Sequence, residues 1–133
     1  MSQNTIRAAQ ADTITERAMP TVKLGGFQTV ACTRERFAKQ MSEDCLRARL
    51  NPGKYLPKLA FSSNGQGIAL AHTDPSFSDI MKEADYIHAD GMPVVFASRR
   101  TELPLPERIA TTDFIYDASR SAIEHGLRFY FLG

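Results

Sequence analysis

Apolar residues along this chain fall into short runs whose period switches between two and about four, and the switches mark its elements. The first 20 residues, MSQNTIRAAQADTITERAMP, are polar, rich in Ala, Gln and Thr, and without a period; they predict a disordered or weakly helical tail ending at Pro20. Structure is expected to begin at TVKLGGFQTVAC, a β-branched stretch in which Gly25 and Gly26 mark a turn or bulge within a first strand or hairpin. Thr33 can cap a helix with Glu35 in its first turn. Phe37, Met41, Cys45 and Ala48 share one face of it, and Asn51-Pro52-Gly53 ends it. LPKLAFS (56–62) reads as a short buried strand that runs into Ser63, Asn64 and a small-residue helix around GIALA. Asp74-Pro75 caps the next helix, for which Ile80, Met81 and Ala84 supply the apolar stripe.

The pattern continues with DYIHADG, a strand ending at Asp90-Gly91, and with a helix from Pro93 through VVFAS to Arg99. TELPLPER is a proline-punctuated loop. Thr112 or Asp113 starts a further helix with Phe114, Ala118, Ser121 and Ala122 on one side and Gly126 as terminator. LRFYFL reads as a fully buried strand. Strands separated by helices specify an α/β fold, Rossmann-like, with a mainly parallel sheet and flanking helices. Such a sheet gathers the loops at the carboxyl ends of its strands around one crevice. Two polar clusters fall at such ends, Ser62-Ser63-Asn64 and Asp90-Gly91.

Composition narrows the function classes. A chain of 133 residues accommodates one domain and can bury roughly two-thirds of its unfolded surface. Sixteen basic against 15 acidic side chains argue against a general nucleic-acid binder. No apolar run approaches the roughly 20 residues of a membrane span, and the opening residues lack the apolar region of a secretory signal. Cys32 and Cys45, in no redox or metal spacing, read as core residues of a protein in a reducing compartment. Residues 34–58 carry seven basic side chains (Arg34, Arg36, Lys39, Arg47, Arg49, Lys54, Lys58) against three acidic ones. A solvated helix face is the simpler account of that run; an anionic lipid or a diphosphate is the other.

The residues leave two readings open at each candidate position. Asp90 is either a strand-end carboxylate able to act as a general base or the helix-capping aspartate of an Asp-Gly turn. Ser62, Ser63 and Asn64 either hold a sugar hydroxyl or phosphate or form a capping turn. Gly65 and Gly67 lack the spacing of a P-loop or dinucleotide fingerprint. Arg108 either grips a phosphate beside Thr111 and Thr112 or forms a surface ion pair with Glu107 or Glu102. His88 reads as a packed histidine before a proton shuttle, and His72 and His125 as helix C-terminal residues. No H-x-E, paired-cysteine or D-x-D pattern points to a metal.

Taken in order, FSSNGQGIALAHTDPSFSDIMKEADY, HADGMPVVFASRR, LPERIATTDF and LRFYFLG resemble the motif set of the WecG/TagA/CpsF-type bacterial glycosyltransferases (glycosyltransferase family 26) across residues 22–133. The resemblance implies inverting, metal-independent, cofactor-free transfer of a hexose or N-acetylhexosamine-type sugar from a UDP-sugar. The implied acceptor is a sugar linked to polyprenyl diphosphate, and the setting is cell-envelope or exopolysaccharide assembly. It implies Asp90 as catalytic base, Ser62 and Asn64 lining the site, and Arg108 stabilising the leaving diphosphate. Ser62 stands where the family has threonine, and Ala110-Thr111-Thr112 replaces a glycine-containing stretch. Family members continue beyond F-L-G. The chain is therefore expected to be the N-terminal part of a domain, with an incomplete sheet and little activity of its own. The implied location is cytoplasmic, peripheral at the inner face of the plasma membrane, without nucleic-acid partners and with homo-oligomerisation left open. Two other classes stay open, a Rossmann-type nucleotide-binding oxidoreductase and a non-catalytic α/β binding module.

Overall fold

A computed structural model of the chain describes residues 18–133. The expected tail therefore lies outside the described residues for residues 1–17. Strands β1 (Thr21–Leu24) and β2 (Phe27–Val30) form an antiparallel hairpin, with Leu24 opposite Phe27. Gly25 and Gly26 turn it with φ of 56° and 94°, and two consecutive positive φ angles suit the tight turns that match strand twist. Gly25 is also sterically required, because a Cβ there would meet the Ile68 side chain at 2.5 Å. β3 (Ala60–Ser63) and β4 (Tyr86–Ala89) are parallel to each other, β4 is parallel to β2, and the sheet order is β1-β2-β4-β3.

Helices α1 (Arg34–Leu50) and α5 (Thr111–Glu124) cover one face of this sheet. On that side Phe37 of α1 packs with Val30, Cys32 and Ile109, and against Tyr86 of β4 and Phe114 of α5. Helices α2 (Gly65–Thr73), α3 (Pro75–Lys82) and α4 (Met92–Ser98) lie on the other. There Met81 packs on Phe27 and Ile87, while Val94 and Val95 pack on Leu24 and Ala89. The alternation of a strand divides β4 accordingly: Tyr86 and His88 look to the α1/α5 side, Ile87 and Ala89 to the other. The result is a mostly parallel, Rossmann-like α/β sheet with five flanking helices.

Local chemistry sets most helix ends. Thr33 caps α1, its Oγ1 accepting from Arg36 N at 3.2 Å, and Asp74 caps α3 by accepting from Phe77 N at 3.1 Å. α1 and α5 run side by side in the same direction. Arg34 pairs with Asp113 and Asp117 at their starts, Ser42 and Ser121 meet at 2.7 Å midway, and Arg49 donates to the carbonyls of His125 and Gly126 at the end. Much of the basic run is thereby used internally: Arg36 also pairs with Glu43, Arg47 with Asp44, and Lys58 with Asp85.

Five expectations are corrected. The strand expected over 56–62 begins only at Ala60, because Pro57 has no N–H for a ladder, and the Asp85 carboxylate instead takes Leu59 N at 2.8 Å. Ile80 is exposed, and the inward residues of α3 are Phe77 and Met81, with Ala84 packed on the same cluster just past the helix end. α5 starts at Thr111, one residue earlier than expected, with no cap from its own neighbourhood. Cys45 is exposed: α1 meets α5 through small residues, Ala38 and Ser42, whereas Cys45 borders a cavity of about 330 Å³ shared with Met41, Leu56, Tyr86 and Phe114. LRFYFL forms no strand. β2 and β4 are occupied on both edges, the segment pairs with neither free edge, and Tyr130, Phe131 and Leu132 are exposed.

Candidate active site

β3 and β4 are adjacent and parallel, so their carboxyl ends open on the same side and bring the two polar clusters together. Asp90 N donates to Ser63 O at 2.8 Å, continuing the β3–β4 ladder one step past the strands. Asn64 lies directly against Gly91, where a Cβ would stand 3.4 Å from Asn64 Cβ. Asn64 Oδ1 accepts from Gly67 N at 2.8 Å and caps α2, while its NH₂ donates to no described residue.

The half-buried Asp90 occupies the start of another helix. Its Oδ2 accepts from Thr111 N at 3.4 Å, a long bond that supplies the cap α5 lacks locally. A carboxylate at a helix N-terminus also gains from the helix dipole. Asp90 therefore has both properties weighed in the sequence, a carboxylate at a strand end and a capping residue, although the helix capped is not the one that follows it.

Arg108 reaches the same end of the sheet through one backbone bond. Ile109 N donates to Ala89 O at 2.8 Å, which pins the 108–110 segment beside the end of β4. Arg108 is exposed, and its Nη2 lies 3.5 Å from Asp113 in the first turn of α5. It is not paired with Glu107 or Glu102. Glu107 has a different task that the sequence did not disclose: its Oε1 accepts from Arg34 N at 2.7 Å and satisfies the first N–H of α1. The charged oxygen 73 residues away does what a local cap cannot, since Thr33 is committed to Arg36.

The serines separate. Ser62, exposed, pairs in register with His88, whereas Ser63 turns to the other face, where its Oγ is buried with no hydrogen-bond partner among the described residues. The structure therefore brings Asp90, Asn64 and the Arg108 segment to one end of the sheet, with Ser62 one residue inside β3. His88 is packed against Phe37 and Phe114 with Nδ1 2.8 Å from Ile109 O, and burial lowers its pKa against the opposing influence of that bond and of Asp90. A buried, neutral imidazole donating to a carbonyl is a packing group.

Among the described residues no three His, Cys, Asp or Glu side chains come together as a metal-binding group, and no helix is long and apolar enough to cross a membrane. The protein-family model described as "Glycosyl transferase WecG/TagA/CpsF family" matches residues 22–133. No curated protein and no solved structure matches the chain. The match begins within β1, spans every element of the sheet and all five helices, and sets aside the oxidoreductase reading. As that match covers nearly the whole chain, this chain belongs to the WecG/TagA/CpsF family of glycosyl transferases.

Proposed function

We propose that this chain carries the catalytic aspartate of an inverting glycosyltransferase that moves a sugar from a UDP-sugar to an acceptor linked to polyprenyl diphosphate. Family membership supports the coarser statement, a glycosyltransferase of cell-envelope polysaccharide synthesis. The observation that carries the finer one is the Asp90 carboxylate, held at the crevice end of β4 beside Asn64.

In this reading Asp90 takes the proton of an acceptor hydroxyl. The oxygen attacks the anomeric carbon from the face opposite the nucleotide. The new C–O bond forms as the bond to the UDP oxygen breaks, and UDP leaves with the electron pair. Asn64, through its uncommitted NH₂, and Ser62 orient sugar hydroxyls. Arg108 places a positive charge where the diphosphate gains negative charge, a role that needs no metal. The lipid-linked acceptor puts the enzyme at the inner face of the plasma membrane as a peripheral protein.

Asp90→Asn tests the assignment. Asn retains an oxygen that can accept from Thr111 N, so the fold should persist, while in a transfer-competent protein that contains this chain UDP release from a UDP-sugar and a lipid-linked acceptor falls by about 10²–10⁴. Unchanged turnover in a folded Asp90→Asn protein would remove Asp90 from the mechanism.

A further inference from the structure

We propose that Asp113 is a positioning residue: its carboxylate holds the Arg108 guanidinium at the crevice end of β4, where the departing diphosphate gains negative charge. This role depends on the one proposed above for Arg108 and supplies the group that places the cation. Distance along the chain favours Glu107 or Glu102 as partners of Arg108. Glu107, however, is committed to Arg34 N, and Glu102 is exposed with no partner among the described residues. The carboxylate that reaches Arg108 is Asp113, whose Oδ2 lies 3.5 Å from Nη2.

Asp113 is itself fixed from two sides. It is the third residue of α5, and its N–H donates to Ala110 O at 3.1 Å. The same Oδ2 lies 3.4 Å from Nη1 of Arg34, whose Nε stands 2.7 Å from Asp117, one turn further along α5. Arg34 is the first residue of α1, with its backbone N–H on Glu107. The four side chains alternate in sign, Asp117–Arg34–Asp113–Arg108, and exposure rises along the row. The Asp117 side chain is 15% exposed and that of Arg34 33%, whereas Asp113 and Arg108 are nearly half exposed. A row anchored between two helices thus ends on a guanidinium that faces solvent.

Two features separate this arrangement from an ordinary surface ion pair. The contact uses one nitrogen of Arg108 at the long end of the ion-pair range, between two well-exposed groups, so it contributes little to stability. It leaves Nε and Nη1 of Arg108 without a partner among the described residues, and a diphosphate can take such donors in bidentate fashion. The second feature is where the carboxylate sits. Thr111 N, two residues before Asp113 and in the same turn, is the donor to Asp90 Oδ2. One turn of α5 therefore meets the candidate base through its backbone and the candidate cation through a side chain, and sets the spacing between them. Arg34, on the same oxygen, offsets the negative charge that Asp113 brings near a diphosphate.

The test is a double-mutant cycle on kcat in a transfer-competent protein that contains this chain, read as UDP release from a UDP-sugar and a lipid-linked acceptor. Circular dichroism confirms that each variant is folded. Arg108→Gln is expected to lower kcat by about 10²–10³. Asp113→Asn keeps a side-chain oxygen in the first turn of α5. It should lower kcat about tenfold and leave the donor KM within about twofold, because the cation is misplaced in the transition state while contacts to the sugar persist. In the Arg108→Gln background Asp113→Asn should change kcat by less than about twofold, since no guanidinium is left to place. A merely structural role gives the same loss in both backgrounds, and that result would overturn the proposal. So would an Asp113→Asn protein with unaltered kcat, or a Glu102→Gln protein that matches its loss, which would show a general effect of charge. Asp113→Ser, also suited to a first helical turn, carries the cycle if Asp113→Asn does not fold. Unaltered kcat in Arg108→Gln removes the diphosphate role of Arg108 and this role with it. Retained transfer in Asp90→Asn removes the base alone and leaves the Asp113 assignment standing.

Discussion

Removing the Glu107 carboxylate should loosen the start of α1, an element that Glu107 does not adjoin in sequence. Its Oε1 accepts from Arg34 N at 2.7 Å, a charge-assisted bond in a half-buried position at a helix N-terminus. A hydrogen bond to a charged group contributes about 1.5–3 kcal/mol, and the carboxylate adds a favourable interaction with the helix dipole. Glu107→Ala leaves Arg34 N without its acceptor and should cost about 2 kcal/mol. Glu107→Gln keeps an acceptor oxygen and loses only the charge, about 0.5–1 kcal/mol. For a domain of this size 1 kcal/mol corresponds to about 3–6 °C in Tm, so the alanine variant should melt about 6–12 °C lower and the glutamine variant about 2–6 °C lower. Thermal unfolding followed at 222 nm measures both. Repeating it in 1 M NaCl should shrink the glutamine effect, because salt screens the dipole interaction. An alanine variant that melts with the unaltered chain, or a glutamine variant as damaged as alanine, would refute the cap.

Three further outcomes follow from the packing. Gly25→Ala should lower the denaturant midpoint by the equivalent of at least about 1 kcal/mol, since its φ of 56° is unfavourable to a side chain and its Cβ would meet Ile68; an unchanged midpoint would contradict the hairpin geometry. His88 has a folded pKa below its unfolded value of about 6.5, so the unfolded chain binds the extra proton on acidification; its contribution is intact above that pH and is lost as pH falls toward the folded pKa. Unfolding free energies between pH 7 and 5 should therefore decline more steeply in the unaltered chain than in His88→Asn. Maleimide should label exposed Cys45 in the native protein, faster as pH rises because burial and Asp44 raise its pKa, whereas Cys32, buried and pushed up to about 11, should react only on unfolding; mass-spectrometric mapping that found Cys32 modified first would contradict this.

What could be read from the sequence was what short-range chemistry decides. The Gly25-Gly26 turn, the Thr33 and Asp74 caps and the strand ending at Asp90 are each set within a few residues, and each is present. Asp90 and Asn64 were legible as site candidates because turn-forming polar residues ended two apolar strands. Their proximity was legible only through the parallel pairing of β3 and β4. Arg108 owes its place to the Ile109–Ala89 backbone bond, and Glu107 its role to a contact across 73 residues, neither of which leaves a periodic trace. Cys45 and Ile80 show the complementary limit. Spacing identifies the residues that share a helix face, but only the tertiary arrangement decides whether another element covers it.

The clamps along α1 and α5 have a mechanical consequence. Arg34 joins the two helices at their starts, Ser42 and Ser121 midway, and Arg49 at their far end. Neither can unravel far without releasing the other, so amide hydrogens of both should exchange at a common rate, as one opening unit rather than two. Because Thr111 N reaches Asp90 from this unit, the carboxylate is braced by a two-helix beam, and a loosening anywhere along α1 should register as motion at the end of β4.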